Sequence, residues 1–510
     1  MKRFLLLAII VGFVSSCEKE EVIPLENPAE SGKMILGKKL ENPYSIDNMR
    51  KAYANLSAQT RACVDDVPVD EIVYTTHYYV KFTPKTDEEL GLLKRDTTIV
   101  FYPYPLDYDI IEYGEYLDSS IPETQPTPLY ASVEVGKELT NDVNWEILDG
   151  LYIPDEYKDE TVIETRSGNG INEDFIESLV DKALEITGNT DPQSATTRAK
   201  NSWRPAGYIT YFDDATSRTI GLEGVKVKAR RWFTTHTGFA NATTGYYSCD
   251  GTFKRDANYS FDLERYDFHV KGSGVKTDYD GPKRTGNWNY EFRRSKSQTE
   301  YFAATIFRAA YHYYYKNIGG LRKPPENAFM RTQMKLKAFN KSDDNNGTFN
   351  SARRFLGGNM INLYNPSNGT MELYATTIHE LAHAAHWRMI VKEPGTNRVR
   401  DYHNAEEKVL ESWARGVQYY LTRMVYSNYR GGAASSTYTN VVVDLIDTDA
   451  DNTGNNGHGS TNGDNVTGYT MRQIEDALIG INNWGKWRDN IKNKYNNATE
   501  NNVDALFASW

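Results

Sequence analysis

Two histidines four residues apart, His379 and His383, stand inside a run whose apolar members recur at helical spacing: Leu373, Ala375, Ile378, Leu381, Ala382 and Ala385. That pattern constrains the chain more than any other. Residues four apart on a helix lie one turn apart on the same face, so both imidazoles point at one place. Glu380 lies beside them, close enough to polarise a metal-bound water. Asn368-Gly369-Thr370 ahead of the run supplies a helix start. With 9 His in 510 residues, chance gives about 0.01 occurrences of such a pattern, so two core histidines beside an incidental glutamate is the weaker use of these residues.

A metal with an open position for water needs a third protein ligand. Residues 405–422 form a second helical pattern, with Leu410, Ala414, Val417 and Leu421 as its apolar stripe. Glu411 sits within it, Glu407 one turn earlier on the same face, and Glu406 beside that. Glu411 and, as an alternative, Glu407 are the candidates for the third ligand, which this spacing alone leaves open. His386 shares the face of the histidine pair and fits a supporting or rim position better than a ligand position.

His379-Glu380-Leu381-Ala382-His383 is an H-E-x-x-H sequence, and Glu411-Ser412-Trp413-Ala414 resembles the second-helix glutamate motif of gluzincin metallopeptidases. The metzincin pattern is absent, because His386 and Met389 stand where its glycine and third histidine belong. The resemblance covers roughly residues 280–510. It implies an α+β zincin-like domain with one catalytic Zn2+ on His379, His383 and Glu411, and Glu380 as proton acceptor. Protein or peptide would be the substrate. It also implies a donor for the tetrahedral intermediate, for which His403, His458 and Tyr469 are candidates and Tyr469 is preferred. An Asp four residues after the gluzincin glutamate is common; here Arg415 takes that place and leaves the partner of the histidines unassigned. The rival expectation is a surface binding or adhesion lipoprotein whose zincin domain is inactive.

Met1-Lys2-Arg3 followed by the apolar run from Phe4 to Val14 reads as an export signal, too short to span a bilayer in the mature chain. Val14-Ser15-Ser16-Cys17 resembles the lipobox of bacterial lipoproteins, which implies acylation of Cys17 and a membrane attachment. The acidic run Glu18-Lys19-Glu20-Glu21 resembles the surface-export signal of Bacteroidetes lipoproteins and implies an outer-membrane, surface-exposed location. A flexible tether is expected over 18–45. A net charge of −11 with no basic face argues against a nucleic-acid partner.

At this length several domains are expected. Alternating aromatic and polar residues, as in His77-Tyr78-Tyr79-Val80-Lys81-Phe82, predict a β-rich N-terminal domain over 46–160. A helix near Phe175–Ile186 and a polar join occupy 161–202. Period-two strands around glycine turns over 203–275 resemble the carboxypeptidase regulatory-like (transthyretin-like) β-sandwich, implying a non-catalytic module. Cys63 and Cys249 read as isolated small hydrophobes. The Asp447 to Thr467 loop reads as a mobile rim, with irregular Ca2+ binding at Asp447, Asp449 and Asp451 the minor alternative; it is no EF-hand, because His458 takes the bidentate glutamate position.

Overall fold

Alternation of aromatic and polar residues builds the first sheet as expected. In the computed structural model β2 (His77–Thr83) lies between β4 (Leu129–Glu134) and β5 (Asn144–Leu151), antiparallel to both. A separate ribbon pairs β1 (Ile35–Lys39) with β3 (Tyr108–Glu112). The structure describes residues 34–60, 69–112, 116, 118, 120–122, 125–154, 173–190, 202–326, 333–350, 361–390, 398–447 and 465–510. The expectations for Cys17 and the acidic run, for Cys63, for most of the polar join, and for Asp449, Asp451 and His458 lie outside these residues.

The N-terminal unit is mixed rather than β-rich. Helix α1 (Ile46–Thr60) opens it, short helices α2 (Val69–Ile72) and α3 (Asp87–Leu93) follow, and α4 (Glu173–Ile186) packs back on α1. Tyr53 and Phe175 meet edge-on at 5.8 Å across that contact. Met49, Ala52, Tyr79, Leu151, Leu179 and Val180 share one core, so the helix expected in a linker belongs to this unit. The tether is also shorter than 18–45, since β1 is paired and Tyr44 is buried.

The middle region contains two four-stranded sheets. One holds β6 (Ala206–Asp213) between β10 (Tyr246–Ser248) and β14 (Tyr290–Phe292), with β7 (Arg218–Gly221) also on β6. The other runs β13 (Asp278–Arg284), β11 (Ala257–Asp262), β8 (Lys226–Arg231), β9 (Thr234–Phe239). Period-two burial along β8 and β11 sends Val227, Ala229, Tyr259 and Phe261 inward. Gly224 turns the chain at φ +86°, and a Cβ there would lie 2.1 Å from the Tyr311 ring. Phe233, between β8 and β9, enters the N-terminal core against Tyr79, with ring centroids 5.0 Å apart.

The expected boundary at 275–280 does not divide the sheets. Strand β12 (Phe268–Ser273), inside the expected sandwich, runs parallel to β15 (Met334–Phe339) in a third sheet, while β13 and β14 return to the middle region. That third sheet has the order β12, β15, β17 (Ile361–Leu363), β16 (Gly347–Phe349); only the edge strand β16 is antiparallel. Helices α5 (Gln298–Tyr315) and α6 (Thr370–Met389) pack together beside it and are buried on nearly every face, as expected for helices apolar all round. The remaining helices are α7 (Arg398–His403), α8 (Glu407–Val425), α9 (Val441–Ile446), α10 (Met471–Ala477), α11 (Trp484–Lys494) and α12 (Val503–Ser509).

A polar cluster joins the middle sheet to these helices. Buried Arg308 of α5 donates to Asp213 at the end of β6 (2.8 Å) and to the Tyr426 hydroxyl just after α8 (2.7 Å). Tyr211 stacks on Tyr301 at 4.6 Å, and its hydroxyl meets Thr305 at 2.7 Å. Apolar residues of the middle sheets and of α5, α6 and α8 form one continuous core. The architecture is mixed α+β with several sheets.

Candidate metal centre

Helix α6 begins where expected. Gly369 is its N-cap but offers no side-chain cap; Arg294 instead donates to the Asn368 carbonyl at 2.9 Å, and the Tyr301 hydroxyl reaches Thr370. His379, Glu380 and His383 all lie on its buried length. Helix α8 packs along α6 and presents Glu411 to the two histidines. Glu407, the alternative, is exposed in the first turn of α8.

Nε2 of His379 lies 3.1 Å from Oε2 of Glu411, Nε2 of His383 lies 3.3 Å from the same oxygen, and the two Nε2 atoms are 3.0 Å apart. A tetrahedral centre with bonds of about 2.0–2.1 Å spaces its donors about 3.3–3.4 Å apart, so this triangle fits one ion with slight expansion. The chemistry agrees with the spacing. Oε1 of Gln418 faces Nδ1 of His379 at 3.2 Å, which assigns the proton to Nδ1 and a lone pair to Nε2. Two ring lone pairs and a carboxylate this close repel unless a proton or a cation lies among them.

The electrostatics show that need. Burial pulls the His383 imidazole down, yet the charge and hydrogen bond of Glu411, with Glu380 adding, raise it above its ordinary value. Burial pushes Glu411 up, but His383 and His379 hold its carboxyl well below the usual carboxylate range. The buried His379, His383 and Glu411 group can therefore hold a metal ion.

Further residues fix this geometry. The Tyr402 hydroxyl lies 3.0 Å from Nδ1 of His383, and the Tyr402 ring packs edge-on against His386 at 6.1 Å. His386 is fully buried and stands outside the ligand triangle; burial first, then the neighbouring His383 charge, pulls it down to about 3, so it is neutral. Glu380 fits because Gly347 of β16 lacks a side chain: a Cβ there would lie 2.8 Å from Glu380 Cγ and 2.9 Å from its Oε1.

The segment after α8 folds back over the site. The Ser412 hydroxyl donates to the Thr437 carbonyl (3.2 Å) and accepts from the Thr439 amide (3.2 Å), while Arg415 Nε donates to Asn440 Oδ1 (2.7 Å). Tyr438, held between those threonines, stacks on His379 with centroids 6.3 Å apart and planes 21° apart. Arg415, where gluzincins commonly carry an Asp, thus ties down this strap and leaves the histidines to Gln418 and Tyr402.

Tyr469 lies at the start of α10. It precedes the N-cap Thr470, whose capping box with Gln473 starts α10; its amide bonds to Leu445 and its charged neighbour is Glu500. Its side chain is buried in the core and its hydroxyl has no hydrogen-bond partner among the described residues, so no hydrogen bond joins it to the histidines. His403 is exposed at the end of α7. Gln418, seven residues after Glu411, could have been found by helical spacing. Tyr402, Tyr438 and Gly347 gave no sequence signal, because each arrives from a different segment.

Comparison with known protein families, with curated proteins and with solved structures gives no match.

Proposed function

We propose that this chain is a zinc-dependent peptidase of the gluzincin type, acting on extracellular or surface proteins and held at a membrane by a lipid on Cys17. The observation that carries the catalytic part is the convergence of His379 Nε2, His383 Nε2 and Glu411 Oε2 within 3.3 Å of one another, on a helix that places Glu380 next to His379. A zinc ion bound there would supply a Lewis acid that brings the pKa of water towards neutrality.

The chain's own residues carry the rest. Glu380 accepts the proton of the attacking water at its carboxylate and delivers it to the departing amine. Strand β16, antiparallel at the sheet edge and packed on α6, offers an edge on which an extended peptide can pair. Tyr438, half-buried beside His379 with its segment tied down by Ser412 and Arg415, joins Tyr469 as a candidate donor to the developing oxyanion. Burial of Glu380, His379 and His383 keeps water scarce and strengthens these interactions.

The test is cleavage of a complex protein mixture by the purified protein and by Glu380→Gln, with new N-termini mapped by mass spectrometry and bound zinc measured in both. Cleavage by the wild type alone, with equal zinc in the two, supports the proposal. Equal, chelator-sensitive cleavage by both proteins would contradict it. Folded protein with neither zinc nor cleavage would support a surface binding lipoprotein instead.

A further inference from the structure

We propose that Gln418 and Tyr402 are positioning residues for the metal, and that this chain orients both histidine ligands through neutral partners. The proposal deepens the reading of His379, His383 and Glu411 as a metal site and rests on it.

Gln418 lies two helical turns beyond Glu411, on the same face of α8. One rigid helix thus supplies the third ligand and aims the first, because Glu411 meets Nε2 of His379 while Gln418 meets its Nδ1. Tyr402 comes from α7 and is buried. Its ring sits edge-on to Phe349 of β16 at 5.9 Å and to His386 at 6.1 Å, and this packing directs the hydroxyl to Nδ1 of His383. Arg415, between Glu411 and Gln418 on α8, donates instead to Asn440 and Gly432.

The choice of partner has a chemical consequence. A carboxylate opposite Nδ1 raises the basicity of the ring and tightens its bond to the metal. An amide and a phenol fix the same tautomer and orientation without that added charge. The liganding group then carries one formal negative charge, from Glu411, and a divalent ion keeps a net positive charge with which to polarise water. The site gives up some affinity and keeps a stronger Lewis acid.

The experiment is a zinc titration of the full chain against a chromophoric chelator, with Gln418→Glu, Gln418→Met and Tyr402→Phe beside the wild type. Gln418→Glu should bind zinc at least about tenfold more tightly, and Gln418→Met and Tyr402→Phe about 10–100-fold more weakly. With Co2+ in place of zinc, the visible bands of Gln418→Glu should move relative to the wild type, a change that loss of packing alone would not produce. If Gln418→Glu binds no more tightly than Gln418→Met, the positioning role is overturned and Gln418 is a packing residue. If all three variants match the wild type within twofold, neutral positioning is overturned while the metal site stands. A wild type that holds no stoichiometric metal overturns both readings.

Discussion

Oε1 of Gln418 lies 3.2 Å from Nδ1 of His379, on the side of the ring opposite the Glu411 carboxylate. The imidazole is gripped at both nitrogens by one helix, so the position of α8 against α6 sets the angle at which His379 can meet a metal. His383, by contrast, is gripped by Glu411 and by Tyr402 from a separate short helix.

Metal binding should compete with a proton. His383 is raised above its ordinary value of about 6.5, so below that raised value the ion must displace a proton to bind. Apparent affinity should climb about tenfold per pH unit there and level off above it. Between pH 5 and 8, where only the His383 contribution changes, the metal-free protein should behave in the opposite sense. Glu411, depressed in the fold, stabilises above about pH 4.3 and loses that contribution as pH falls through its lowered value; His383, raised, stabilises fully below about pH 6.5 and loses it as pH rises through its raised value. Thermal denaturation from pH 5 to 8, with and without chelator, should show the stabilisation by metal growing with pH. A gap independent of pH would contradict the assignment.

Tyr438→Phe should separate binding of metal from turnover. The ring remains to stack on His379, so zinc content should stay at the wild-type level, while loss of the hydroxyl should lower kcat about 10²–10³-fold. Peptide hydrolysis with parallel metal analysis decides it.

Gly347→Ala should disturb Glu380 without touching a ligand. The added methyl would fall 2.8 Å from Glu380 Cγ, too close to remain, so the carboxylate must shift. A displacement near 1 Å at a catalytic group costs about 10²-fold in rate, with zinc retained. Wild-type rates in Gly347→Ala would mean that Glu380 tolerates another rotamer.

Asp213→Ala should weaken the protein far from the metal. It would leave the Arg308 guanidinium buried against Tyr211, Tyr374 and Tyr426 with its charge uncompensated. Removing one partner of a buried pair costs about 3–5 kcal/mol. Urea denaturation measures it, and a loss below about 1 kcal/mol would show that Arg308 finds another acceptor.

Helical and strand periods in the sequence located α6 and α8, strand β2 and α4 to within a few residues, because each buries a face that its own pattern declares. The same spacing put His379, Glu380 and His383 on one buried helix, while the likeness of Glu411-Ser412-Trp413-Ala414 to the gluzincin motif favoured Glu411 over Glu407. Helical geometry is local, so these relations needed no knowledge of the rest of the chain. Extents were not local. Strand β12 pairs with β15 across more than sixty residues, α4 closes the N-terminal core, and β1 pairs with β3, which shortens the expected tether. Only the tertiary structure brought Tyr402, Tyr438 and Gly347 to the site. Each of these positions depends on how separate segments pack against α6, and packing between distant segments leaves no period in the sequence.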